Sequence, residues 1–150
     1  MNDKHTLWLC ISLLLLTFSC QRQKYSFSEL PEDYIVFGNG GGFAGASNVY
    51  HLFPDGQVIG FVGPQQDTIF YRQTDKKTAQ NIIETCMALP LNTMQINEPG
   101  NTYSFIRQMK ADTSYTATWG SHEYDLPANI KTMYQQLRGL LVDKRIEADK

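Results

Sequence analysis

The spacing of apolar residues changes character several times along this chain, and each change marks a predicted element. Leu7–Phe18 is an unbroken run of apolar and small residues, followed by Ser19-Cys20 and the polar Gln21-Arg22-Gln23-Lys24. Residues 21–33 stay largely polar around Pro31 and predict a tether. Tyr34–Phe37 is a short apolar run bounded by Gly38, which predicts a buried strand. Asn48–Phe53 and Gln57–Val62 flank Pro54-Asp55-Gly56, whose turn chemistry predicts a hairpin. Gly63-Pro64 breaks the chain before a further strand over Thr68–Arg72. Ala79, Ile82, Ile83, Cys86 and Met87 then recur at helical spacing behind a cap at Thr74 or Asp75. That helix ends by Leu89, because Pro90 cannot continue it.

The second half follows the same logic. Asn97-Glu98-Pro99-Gly100-Asn101 is a cluster of turn formers. Thr102–Met109 reads as a strand with Tyr103, Phe105 and Arg107 on one face and Ser104, Ile106 and Gln108 on the other. Tyr115, Ala117 and Trp119 alternate with Thr116 and Thr118 in a partner strand, joined through Lys110–Ser114. Tyr103, Phe105, Tyr115 and Trp119 read as a core face of this strand pair, with an exposed stacking surface as the alternative. Pro127 opens a last helix whose stripe is Ile130, Met133, Tyr134, Leu137, Leu140 and Leu141. The order ββββ-α-ββ-α predicts an α+β domain over 34–142. It is an antiparallel sheet of about five or six strands with two helices packed on one face. Residues 143–150 form a charged tail.

Composition fits this picture. The chain has 150 residues, 42% of them apolar and 19% charged, the make-up of one folded domain. A domain of this size buries about two-thirds of its unfolded surface, so it needs neither disulfide nor metal to fold. The net charge of −2 excludes a nucleic-acid partner, which requires clustered basic excess.

The amino end carries the most specific signal. Lys4 and His5 precede the Leu7–Phe18 run, which is too short for the roughly 20 apolar residues of a spanning helix. It has the length of a signal-peptide core. Leu16-Thr17-Phe18-Ser19-Cys20 resembles a lipobox, in which a small residue precedes a cysteine that accepts a diacylglycerol thioether. It is a loose match, with Thr17 and Phe18 where Leu or Val and a small residue are common. The resemblance implies a signal over 1–19, cleavage before Cys20, and lipid on Cys20 that binds the mature protein to a bilayer. An ordinary signal peptide or an uncleaved anchor is the alternative. Cys10 leaves with the signal, so Cys86 remains without a disulfide partner and, on its apolar stripe, reads as a small buried hydrophobe.

Candidate chemistry beyond Cys20 is sparse. Gly38-Asn39-Gly40-Gly41-Gly42-Phe43-Ala44-Gly45 formally contains the GxGxxG dinucleotide spacing. That fingerprint works only where a helix N-terminus follows, and here Ser47–Phe53 reads as strand. The segment reads instead as a tight bend where only glycine fits, with a backbone anion nest as the alternative. Gly40, Gly41, Gly42, Phe43 and Gly45 are its candidate contacts to a partner or ligand. His51 and His122 lack metal-ligand spacing, and no GxSxG elbow accompanies His122 and Asp125. No catalytic, cofactor-binding or metal-ligating residue is expected.

Ile35-Val36-Phe37-Gly38-Asn39-Gly40-Gly41-Gly42-Phe43-Ala44-Gly45, Asn97-Glu98-Pro99-Gly100-Asn101-Thr102-Tyr103 and Trp119-Gly120 together resemble a family of small uncharacterised Bacteroidota lipoproteins. Ala44 departs from it, standing where the family has Thr. The resemblance implies a lipoprotein of one domain and carries over no catalytic residue. The leading expectation is a membrane-anchored binding or interaction module, with an unidentified envelope protein as partner. The alternative is a small-ligand binder or hydrolytic enzyme built on Gly38–Gly45 with His51 or His122. Gln21-Arg22-Gln23-Lys24 lacks the acidic run that, in the lipoproteins this chain resembles, directs export to the cell surface. It also lacks the Asp that, in enterobacterial lipoproteins, favours inner-membrane retention. The expected place is therefore the inner leaflet of the outer membrane, facing the periplasm.

Overall fold

A computed structural model describes residue 25 and residues 28–71 and 73–142. The signal segment, Cys20, Arg72 and the tail over 143–150 lie outside the described residues. The strands are β1 (Asp33–Gly41), β2 (Ser47–Leu52), β3 (Val58–Val62), β4 (Asp67–Tyr71), β5 (Asn97–Glu98), β6 (Thr102–Lys110) and β7 (Thr113–Trp119). The helices are α1 (Lys76–Met87), α2 (Leu91–Met94) and α3 (Ala128–Gly139). The fold is α+β, with one sheet in the order β4-β3-β2-β1-β6-β7-β5.

Every pairing is antiparallel except the two-residue parallel contact of β5 with the end of β7. That contact makes the sheet seven-stranded rather than five or six. It recruits Asn97 and Glu98 from the predicted turn cluster, a segment too short to carry a strand period. The short α2 lies just past Pro90, where no helix is expected from the pattern.

Both long helices pack on one face. Ile35 and Phe37 of β1, Leu52 of β2 and Ile106 of β6 meet Ala79, Ile83 and Cys86 of α1 and Ile130, Met133 and Leu137 of α3. Asp75 caps α1 as expected, its carboxylate accepting from the Thr78 N–H at 2.9 Å. Cys86 is fully buried here, and burial pushes its thiol up to about 12, so it packs as an inert hydrophobe. Gln108 is a long polar side chain buried in this layer, 1% exposed, and its amide donates to the Cys86 and Leu89 carbonyls at 2.7 and 2.8 Å. It thereby ties β6 to the end of α1.

The opposite face carries a second apolar cluster: Tyr34, Val36, Phe53, Ile59 and Phe105. β1 is thus buried on both sides, which is why it reads as a continuous apolar run rather than an alternation. The β6–β7 register pairs Phe105 with Thr118 and Ser104 with Trp119. Tyr103 and Phe105 therefore face this second cluster, whereas Tyr115 and Trp119 pack against the helix-side core. The four aromatics do not share the single face expected of them. The expected tether is also partly anchored: the Tyr25 ring sits 5.6 Å from Phe53, and the Ala111 N–H donates to the Glu32 carbonyl at 2.6 Å.

Candidate functional site

Along the helix-facing side of β1, β2 and β6 the residues turn from apolar to polar at the same level, and there β7 places Trp119. In β1, Ile35 and Phe37 are followed at period two by Asn39; in β2, Leu52 and Tyr50 lead to Asn48. In β6, Ile106 gives way to Ser104, and in β7, Ala117 to Trp119. The registers set these end residues side by side: Asn39 opposite Asn48, Asn39 opposite Ser104, and Ser104 opposite Trp119. They form one cross-sheet row, Asn48–Asn39–Ser104–Trp119.

At this level α3 leaves the sheet uncovered. Its Tyr134 hydroxyl donates to the Gly38 carbonyl at 3.0 Å, and its Arg138 guanidinium donates to Asn39 Oδ1 at 3.3 Å. Trp119 meets Tyr134 edge to face, with ring centroids 5.1 Å apart. Beyond these contacts lies an open cleft of about 700 Å³. Its floor is Asn48, Asn39 and Ser104, its walls are Trp119 and Tyr134, and among the described residues its one charged lining residue is Arg138. Such a cleft offers amide and hydroxyl hydrogen bonds, an aromatic wall and one guanidinium. Among the described residues that line it there is no nucleophile–base pair.

The glycine segment forms the rim. β1 runs on through Gly38, Asn39 and Gly40 to Gly41 instead of stopping at Phe37, because β2 and β6 pair with it from both sides. Gly40 lies opposite Tyr103, and a side chain there would come within 2.7 Å of the Tyr103 hydroxyl. The Gly41 φ of +95° favours glycine, and a Cβ there would run into the Asn101 carbonyl oxygen. The N–H groups of Gly41, Gly42 and Gly45 donate to the carbonyls of Ala46, Asn101 and Gly42. Those three amides are committed to carbonyls, two within the turn and one across to Asn101 before β6, which is the geometry of a close-packed bend. A strand follows, not a helix. Gly40 and Gly41 line the cleft, while Phe43 projects fully into solvent at the tip.

The histidines lie elsewhere. His51 is on the second face, with its ring among Tyr34, Phe53 and Phe61. Burial, helped by the Arg107 charge, lowers it to about 4, so it is neutral at pH 7. His122 lines a neighbouring depression with Ser121, Glu123 and Gly100. The structure therefore does not bring His51 and the glycine segment into one site. Among the described residues, no group of three or more His, Cys, Asp or Glu could hold a metal ion, and no helix is long and apolar enough to cross a membrane.

Sequence reading missed Asn39, Asn48, Ser104, Tyr134 and Arg138. The signal was available: the inward-facing series of β1, β2 and β6 break from apolar to polar, but aligning the breaks requires the strand registers. In comparisons with known proteins, the chain matches no family model and no curated sequence.

Proposed function

We propose that this protein is a lipid-anchored binding module of a bacterial envelope that engages its target through the cleft at the glycine end of the sheet. The observation that carries this reading is the polar row Asn48–Asn39–Ser104, ending at Trp119 and left open beside Tyr134 and Arg138. Polar side chains converging on an uncovered concavity with an aromatic wall are the make-up of a recognition site. The exposed Phe43 stands beside it as an apolar anchor for a larger target. In this reading acylated Cys20 holds the domain at the inner leaflet of the outer membrane, facing the periplasm. Two or more acyl chains bind a bilayer far more firmly than a single myristoyl chain.

Anchoring is tested by mass spectrometry of the mature protein, whose first residue should be an acylated Cys20. Cys20→Ala should abolish lipid labelling, and a mature terminus elsewhere would remove the anchor from the proposal. Binding is tested in cells with a photo-reactive phenylalanine analogue. Placed at Phe43 or Ser104 it should trap a higher-mass adduct, and placed at Asp112, at the far end of the sheet, it should trap none. Adducts from Asp112 alone would put the binding surface elsewhere.

A further inference from the structure

The cleft does not stand alone. Helix α3 carries Lys131, Tyr134, Gln135 and Arg138 at positions i, i+3, i+4 and i+7, a single flank beside its buried stripe Ile130–Met133–Leu137. All four line concavities. Tyr134 and Arg138 wall the cleft, while Lys131, Tyr134 and Gln135 line an adjoining depression of about 440 Å³ that Trp119 also lines. Trp119 and Tyr134 belong to both, so the two concavities form one trough passing an aromatic pair. Lys131 and Arg138 stand two turns apart, about 10.5 Å along the helix axis. Asp125 also lines the Lys131 end, and the main cleft has no carboxylate in its lining.

We infer that the trough binds an acidic polysaccharide segment, with sugar rings against Trp119 and Tyr134 and carboxylates at Arg138 and Lys131. This rests on the reading of the cleft as the binding surface. The argument is one of matching chemistry. An elongated site with charges two helical turns apart suits a linear polymer bearing a periodic negative charge. Aromatic faces suit the C–H faces of sugar rings, and the amides and hydroxyl of Asn39, Asn48, Ser104 and Gln135 suit ring hydroxyls. An extended peptide fits less well. It could not add as a strand, because β1 and β6 under the trough are interior strands already paired on both sides, and it lacks the ring hydroxyls that the amides would meet.

Calorimetric titration of the purified lipidated protein in detergent tests this, with hexagalacturonate, neutral maltohexaose and a hexaglutamate peptide as probes. Hexagalacturonate should bind, and more weakly as salt rises. Arg138→Ala should weaken it about tenfold, the loss of a charge-assisted contact, and Lys131→Ala severalfold. Lys131 is exposed, so its variant keeps the fold and serves if Arg138→Ala melts early. Maltohexaose should bind far more weakly, and hexaglutamate not at all. Hexaglutamate binding as tight as hexagalacturonate would show charge attraction without sugar recognition and overturn the inference. So would hexagalacturonate affinity unchanged in both variants. If no saccharide binds while the adducts at Phe43 and Ser104 still form, the saccharide falls and the cleft stands as a protein-docking surface. If neither occurs, both fall.

Discussion

Gly41→Val should lower the stability of the domain by about 3 kcal/mol, combining a backbone forced into the left-handed region with a collision in the strand pair. The φ of +95° alone disfavours any residue with a Cβ, and here that Cβ would also meet the Asn101 carbonyl oxygen. That carbonyl accepts from the Gly42 N–H at 2.7 Å, so it cannot retreat without breaking the turn. Gly45→Ala is the natural control. Its φ is +59°, but nothing lies within 4 Å of an added Cβ, so about 1 kcal/mol should be lost. Urea unfolding midpoints for the two variants give the comparison. Equal and small losses would mean that the rim relaxes freely and is not the close-packed bend described above.

The second large effect is expected at Gln108. In Gln108→Glu, a group that donated to the Cys86 and Leu89 carbonyls becomes a buried carboxylate facing two acceptors. At neutral pH the variant should lose about 3–5 kcal/mol. Burial and the two carbonyls raise the folded pKa of the new glutamate above its unfolded value of about 4.3. Below that unfolded value the group is protonated in both states, and only one lost donor separates the variant from the wild type. As pH rises, the unfolded chain ionises first, and stability falls by about 1.4 kcal/mol per pH unit until the folded pKa is reached. The deficit against wild type should therefore be small near pH 4 and largest above pH 7. A deficit independent of pH would mean that the side chain swings out to water.

The sequence made the two long helices and the β2–β3 hairpin legible, because their apolar periods and breakers are strong local signals. β1 was legible only as far as Phe37. Glycine and asparagine have low strand propensity, and only pairing with β2 and β6 carries the strand on to Gly41. The division of the aromatics between faces was hidden for a related reason. The two-residue turn at Ala111-Asp112 sets the β6–β7 register, and one residue more or less would have moved Trp119 to the other face. The candidate site suffered most. Its glycine rim stood out in the sequence, but its floor is drawn one residue at a time from four strands. Its charged wall comes from Arg138, whose partner Asn39 lies 99 positions away.

The contact of Tyr25 with Phe53 changes what an anchor at Cys20 would do. Phe53 follows Leu52, which pairs with Ile35 near the start of β1, so the chain meets the domain at the end opposite the cleft. With an anchor at Cys20, only the stretch from there to Tyr25 would be left as leash, at most about 17 Å. A thirteen-residue leash would let the domain tumble and sample a broad shell of the periplasm. If Cys20 is acylated as proposed, a leash this short would confine it to a thin layer over the bilayer and restrict its rotation. The length of β1, about 27 Å, would then act as a standoff between the lipid surface and the cleft. Confinement of that kind concentrates the binding surface at one height above the membrane, so targets fixed at that height would be met repeatedly and those beyond it rarely.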